Sequence, residues 1–201
     1  MTRSGLRTLR GALWAAVAVV GASVVWFVAF DNGGENGIIT ADVGGPFTLI
    51  DQSGATVTEA TLQGHPSALF FGYTFCPDVC PTTLSDLTVW LAALGAEADK
   101  LRVYFITVDP ERDTQEQIAS YLEAFDPRIT GLTGKKEAVD QAIKAYRVYA
   151  RKVAGEDGAY TMDHSASVYL LDSKANFVGT VDYQEDTDAV LAKLRRLIAA
   201  S

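Results

Sequence analysis

The chain has 201 residues, 48% of them hydrophobic and 21% charged, with a formal net charge of −8. All 25 acidic residues lie at Asp31 or later, against 14 basic residues there, so most of the chain repels phosphate backbones and nucleic-acid binding is excluded as a role. Two cysteines are too few for a disulfide scaffold, and the length beyond a membrane segment suffices for one ordinary domain with a full core.

Residues 11–30 (GALWAAVAVVGASVVWFVAF) carry no charge. As a helix they span roughly 30 Å of hydrocarbon. Arg3, Arg7 and Arg10 precede them, and the next basic residue is Lys100. The positive-inside rule then keeps residues 1–10 in the cytoplasm and translocates the rest. A cleaved signal peptide is the alternative, with Val20-Gly21-Ala22 as its cleavage site. The apolar run continues through Phe30, which favours an uncleaved, single-pass anchor. The short basic start is expected of a bacterial inner-membrane protein whose soluble domain faces the periplasm. Residues 31–45 hold five glycines and read as a flexible tether, so the domain is expected to occupy residues 46–201.

Within it, Phe47 to Ile50 and Ala55 to Val57 flank Asp51-Gln52-Ser53-Gly54 and form an expected hairpin. Ser67 to Thr74 is an apolar run bounded by turns, consistent with a buried strand. It leads into Cys76-Pro77-Asp78-Val79-Cys80-Pro81. Leu84, Leu87, Leu91 and Leu94 then mark one stripe of a helix, with Pro81 in its first turn. Leu101 to Val108 is a second buried strand. Ile118, Tyr121, Leu122 and Phe125 mark a second helix capped by Asp113 or Thr114. Ile129 to Leu132 is at best a short strand. Val139, Ala142, Ile143 and Tyr146 mark a third helix. Tyr149 to Val153 and Tyr160 to Met162 are extended pieces around a turn at Gly155 to Gly158. Ser167 to Leu171 and Asn176 to Asp182 form a hairpin around Asp172 to Ala175, and Val190 to Ile198 close the chain as a helix. A βαβ unit implies parallel strands covered by helices, with the last hairpin adding antiparallel strands. The expected class is α/β, a thioredoxin-like fold with an N-terminal β-hairpin and an insertion, preceded by one transmembrane helix.

The cysteine pair lies where a buried strand ends and a helix begins, a position that favours thiolate over thiol. Thioredoxin-like redox pairs are usually separated by two residues, whereas three separate Cys76 from Cys80. In a near-helical segment the two would share a face about 6 Å apart, which permits a disulfide and equally two sulfurs on one ion. A structural disulfide closing so small a loop gains little entropy. Redox exchange, metal binding and a structural bridge stay open on spacing alone. Of the two histidines, His65 lies in a Gly-His-Pro loop and reads as a surface residue. His164 precedes the strand Ser167 to Leu171, in the loop that faces the active pair in thioredoxin-like proteins, where a proline normally sits. Two thiolates and an imidazole suit three-coordinate Cu(I), whereas zinc wants a fourth ligand. Asp78, Asp163 or a water could complete a Cu(II) site, while Met162 reads as packing.

Four segments, FFGYTFCPDVCPTTL (70–84), TVDPERDT (107–114), GLTG (131–134) and DHSASVYLLD (163–172), resemble the Sco/SenC family in order and spacing. The resemblance implies that Cys76, Cys80 and His164 are metal ligands for one copper ion, and that Cys76 and Cys80 also form a redox-active disulfide. It implies a copper chaperone that assists assembly of the dinuclear copper A centre of cytochrome c oxidase. Its partners would be the copper-bearing oxidase subunit, other copper carriers and a thiol reductant. A thiol–disulfide reductase acting on the oxidase's copper-ligating cysteines is the alternative, and a peroxidase a third. The loop Asp109-Pro110-Glu111-Arg112-Asp113 matches a family motif near the site and also reads as a plain capped helix start.

Overall fold

The computed structural model describes residues 14, 15, 17, 19–23, 43–155 and 158–201. The chain divides into two compact units, Met1–Ala41 and Asp42–Ser201. In the first, Trp14, Ala15, Val17 and Val19 to Ser23 are helical. The remainder of the expected anchor at 11–30, and residues 31–42 of the expected tether, lie outside the described residues, as do residues 156 and 157 of the expected turn. Among the described residues, the one helix long and apolar enough to cross a membrane is Val79–Lys100. It is a core helix of the second unit, with Leu84, Leu87, Trp90, Leu91 and Leu94 all buried.

The second unit is built on a seven-stranded sheet ordered β2-β1-β5-β4-β3-β8-β9. Its strands are β1 (Thr48–Asp51), β2 (Thr56–Thr58), β3 (Ser67–Gly72), β4 (Arg102–Thr107), β5 (Ile129–Thr133), β8 (Val168–Leu171) and β9 (Phe177–Val181). A separate two-stranded sheet pairs β6 (Ala150–Ala154) with β7 (Tyr160–His164). The helices are α1 (Val79–Leu94), α2 (Gln115–Leu122), α3 (Lys136–Ala145) and α4 (Thr187–Ala199). β3, β4 and β5 run parallel, and β8 lies antiparallel on the other side of β3. This is a thioredoxin-like α/β fold with an added N-terminal hairpin and the inserted β6–β7 pair.

The periodicities translate into burial as their chemistry requires. All six residues of β3 are buried, because a central strand with both faces covered has no polar side to show. Phe70 and Phe105 pack at 6.1 Å on the face that receives Cys80 and Tyr121. Phe71 points the other way, against Tyr146 and Tyr169. Each of these aromatic burials removes about 1.5–3 kcal/mol worth of apolar surface from water.

Three expectations change. β5 is a full strand of five residues held between β1 and β4. Its sequence looked weak because Gly131 interrupts it. A Cβ there would stand 2.1 Å from Ile118 Cγ2 and 2.7 Å from Leu122 Cδ1, so the glycine is what lets α2 lie on the sheet. The cap of α2 is Thr114, whose hydroxyl accepts from Gln117 N–H at 3.2 Å. Asp113 is instead fully buried, accepting from the Thr74 and Thr107 hydroxyls at 2.6 Å and from the Thr74 N–H. Finally, the folded unit includes the end of the expected tether. Val43 packs on the core, and Gly44 N–H donates to the Ala145 carbonyl at 2.9 Å.

Candidate metal and redox centre

The cysteines sit at the carboxyl end of β3, the edge where ligands bind in open parallel sheets. Only Cys80 is helical. Cys76 lies in the irregular segment before α1, since it precedes Pro77 and that position disfavours helical backbone. The two cysteines therefore do not stack on one helical face as spacing suggested. The Cys76 sulfur folds over the helix start and accepts the Cys80 N–H at 3.3 Å. It thereby does the work of an N-cap, in the positive field of the helix terminus.

His164 is the last residue of β7 rather than a loop residue, and it pairs in register with Ala150. Its Nδ1 lies 2.8 Å from the Ser165 carbonyl. A carbonyl can only accept, so Nδ1 carries the proton and Nε2 keeps a free lone pair. That lone pair faces Cys80 Sγ at 3.3 Å. The ring is held edge-on by Tyr73 and Phe70, with centroids at 5.8 and 6.2 Å. The ligand atoms of Cys76, Cys80 and His164 all lie within 4.8 Å of one another. Metal–sulfur and metal–imidazole bonds of about 2.3 and 2.0 Å allow ligand atoms up to about 4.6 Å apart, so one ion fits with an adjustment of a few tenths of an ångström.

Electrostatics make the two sulfurs unequal. The Cys80 thiol beside it, together with the Asp78 and Cys80 backbone N–H groups, holds Cys76 down to about 3, although burial opposes this. Cys80 is pushed up, first by its hydrogen bond with Cys76 and then by burial. Near neutral pH the pair is one thiolate, half-exposed, and one buried thiol. An ordinary thiol with a pKa of about 8.5 alkylates about tenfold faster per pH unit below that value. In the reduced chain, iodoacetamide labelling of Cys76 is expected to hold a constant rate between pH 5 and 8, with Cys80 unlabelled. A tenfold rise per unit, read by mass spectrometry, contradicts this assignment.

Asp78 lines the same cavity as Cys76 and His164, about 330 Å³ in volume, and so does Met162. Met162 packs on the core. Asp163 also lines this cavity, but its carboxylate pairs with Arg151 at 3.2 Å and does not converge with the three ligand atoms. His65 is exposed in its loop. Two further contributors escaped the sequence reading. Gly72 makes room for Cys80: a Cβ there would lie 2.9 Å from its Sγ and 2.8 Å from Phe105 Cε2. A glycine inside a strand pattern is the signal that could have found it. Tyr160 stacks on Arg112 and donates to Asp109 at 2.9 Å, and no local pattern marks it.

The SCO1/SenC family model matches residues 36–199. The chain belongs to the SCO1/SenC family. It is 40% identical over 162 residues to Protein SCO1 homolog 1, mitochondrial, of Arabidopsis thaliana, covering 78% of this chain and 48% of that one. It is 38% identical over 168 residues to Protein SenC of Rhodobacter capsulatus, covering 84% of this chain and 75% of that one. The chain thus spans about half the length of the plant relative. Among solved structures, Bradyrhizobium japonicum ScoI with copper bound matches at a TM-score of 0.73 and 47% identity, covering 77% of this chain and 99% of that one. This SCO1/SenC chain accordingly carries a Cys–Cys–His group able to hold a metal ion at the strand-to-helix edge of a thioredoxin-like domain.

Proposed function

We propose that the chain is a copper chaperone. It takes one Cu(I) on Cys76, Cys80 and His164 and delivers it to the copper-bearing subunit of cytochrome c oxidase for assembly of the dinuclear copper A centre. The observation that carries this is the convergence of the three ligand atoms within 4.8 Å, with the His164 lone pair turned toward the sulfurs. Two soft sulfurs and one imidazole, with the other histidine, His65, exposed in its own loop and outside the group, suit Cu(I) better than zinc. The copper-bound structure of a 47% identical relative supports the same reading. The oxidase as recipient rests on the family resemblance. The anchor at residues 11–30 would hold the domain at the periplasmic face of a bacterial inner membrane, with the intervening chain as its tether. The protein would receive copper there from another carrier.

A half-exposed Cys76 thiolate beside a buried Cys80 thiol also favours a second reading, a thiol–disulfide reductase. Cys76 would attack a partner's disulfide to form a mixed disulfide. Cys80, on losing its proton, would resolve it, leaving the partner as a dithiol and this pair oxidised. A separate thiol reductant would then restore the pair. Oxidation would remove two of the three copper ligands, so redox state would gate loading. His164→Ala separates the readings. Copper binding and transfer are expected to be lost, while reduction of a model disulfide peptide stays within a few-fold of the parent. A variant that binds copper as tightly as the parent overturns the chaperone reading.

A further inference from the structure

We propose that Arg112 is a positioning residue for this centre. Its guanidinium joins the segment carrying Cys76 to the hairpin carrying His164, and so sets the separation of sulfur and imidazole. His164 is supplied by β7, which belongs to a sheet of two strands and is not in the main ladder. Side chains join that hairpin to the body of the domain, and three of these links converge on the loop after β4. Arg112 Nη1 donates to the Tyr160 carbonyl at 3.1 Å, Tyr160 Oη donates to Asp109 at 2.9 Å, and Lys152 pairs with Glu111 at 2.7 Å. Arg112 Nε closes the ring by donating to Asp109.

The same guanidinium reaches the cysteine side. Its carbon lies 3.7 Å from the Tyr160 ring centroid and 4.8 Å from that of Phe75, the neighbour of Cys76. It lies 5.7 Å from the ring of Tyr73, which in turn packs edge-on against His164. Tyr160, Met162 and His164 alternate with exposed residues along β7, so one face of the strand meets Arg112 at its start and the sulfurs at its end. Four residues of extended chain make a lever of roughly 13 Å, and a tilt at Tyr160 is delivered to the imidazole. Arginine suits the task because its planar fork donates in two directions while its face stacks on a ring, which an ammonium cannot do.

For its metal arm this inference rests on the copper reading, and its other arm does not. The test compares the reduced full chain with Arg112→Gln and Arg112→Lys. Without metal, backbone amides of residues 150–154 and 160–164 are expected to exchange hydrogen at least about tenfold faster in both variants. Those of β3 and β4 should be unchanged. Cu(I) affinity, measured by chelator competition, should fall by about 10–100-fold, the range for losing a group that orients a ligand. Unchanged hairpin exchange overturns the proposal, and so does a loss of protection spread equally over β3 and β4, which marks a general structural role. A parent that binds no copper overturns the chaperone reading, while the exchange comparison still decides the role of Arg112.

Discussion

Cys80→Ser is expected to lose Cu(I) binding by more than the 10–100-fold that follows removal of an outer-shell partner, while the domain stays folded. Cys80 is fully buried, with its sulfur 3.3 Å from His164 Nε2. It is a direct donor to any ion held there. A serine oxygen is hard and stays protonated, so the site would keep one soft sulfur and one imidazole. The fold tolerates the exchange because the serine hydroxyl has acceptors at hand in the Cys76 sulfur and the His164 ring, so no buried polar group is orphaned. Competition against a Cu(I) chelator measures the first part and thermal unfolding the second. Copper affinity equal to the parent's contradicts the ligand assignment.

Gly72→Ala is expected to damage both stability and the site. The added methyl would stand 2.8 Å from Phe105 Cε2 and 2.9 Å from Cys80 Sγ, closer than real Cβ contacts come. Phe105 is packed against Phe70 and Tyr121 and has little room to yield. Overpacking of this kind costs roughly 1–3 kcal/mol, or a fall in Tm of roughly 2–12 °C for a domain of this size. The methyl would also press on the Cys80 sulfur itself, so a displaced sulfur should lower copper affinity along with stability. A variant with parental Tm and parental affinity contradicts the packing described for β3 and α1.

The centre was legible to very different degrees. Cys76 and Cys80 stood out because a strand pattern ran straight into them, and helix-terminus chemistry is local. His164 was legible by its place before the strand at Val168, although its own strand was not, because β7 is held by pairing with β6 rather than by an apolar pattern. Asp113 reads locally as a helix cap. Its real partners, Thr74 and Thr107, lie 39 and 6 residues away, and burial of a carboxylate among hydroxyls leaves no periodic trace. Arg112 and Tyr160 are 48 residues apart, joined by a stacking contact that only the tertiary structure creates. β5 was understated for a related reason: pairing on both edges overrides the weak strand propensity of Ile-Thr-Gly-Leu-Thr.

The central claim is that two thiols and one imidazole of this chain hold one copper ion, and that closing the thiols into a disulfide removes the site. The most direct measurement is copper stoichiometry with parallel thiol counting on the same protein, reduced and then oxidised. One Cu(I) per chain with two free thiols is expected in the reduced protein, and no tightly held copper when the thiol count is zero. Undiminished copper in the fully oxidised chain, or none in the fully reduced one, would contradict it.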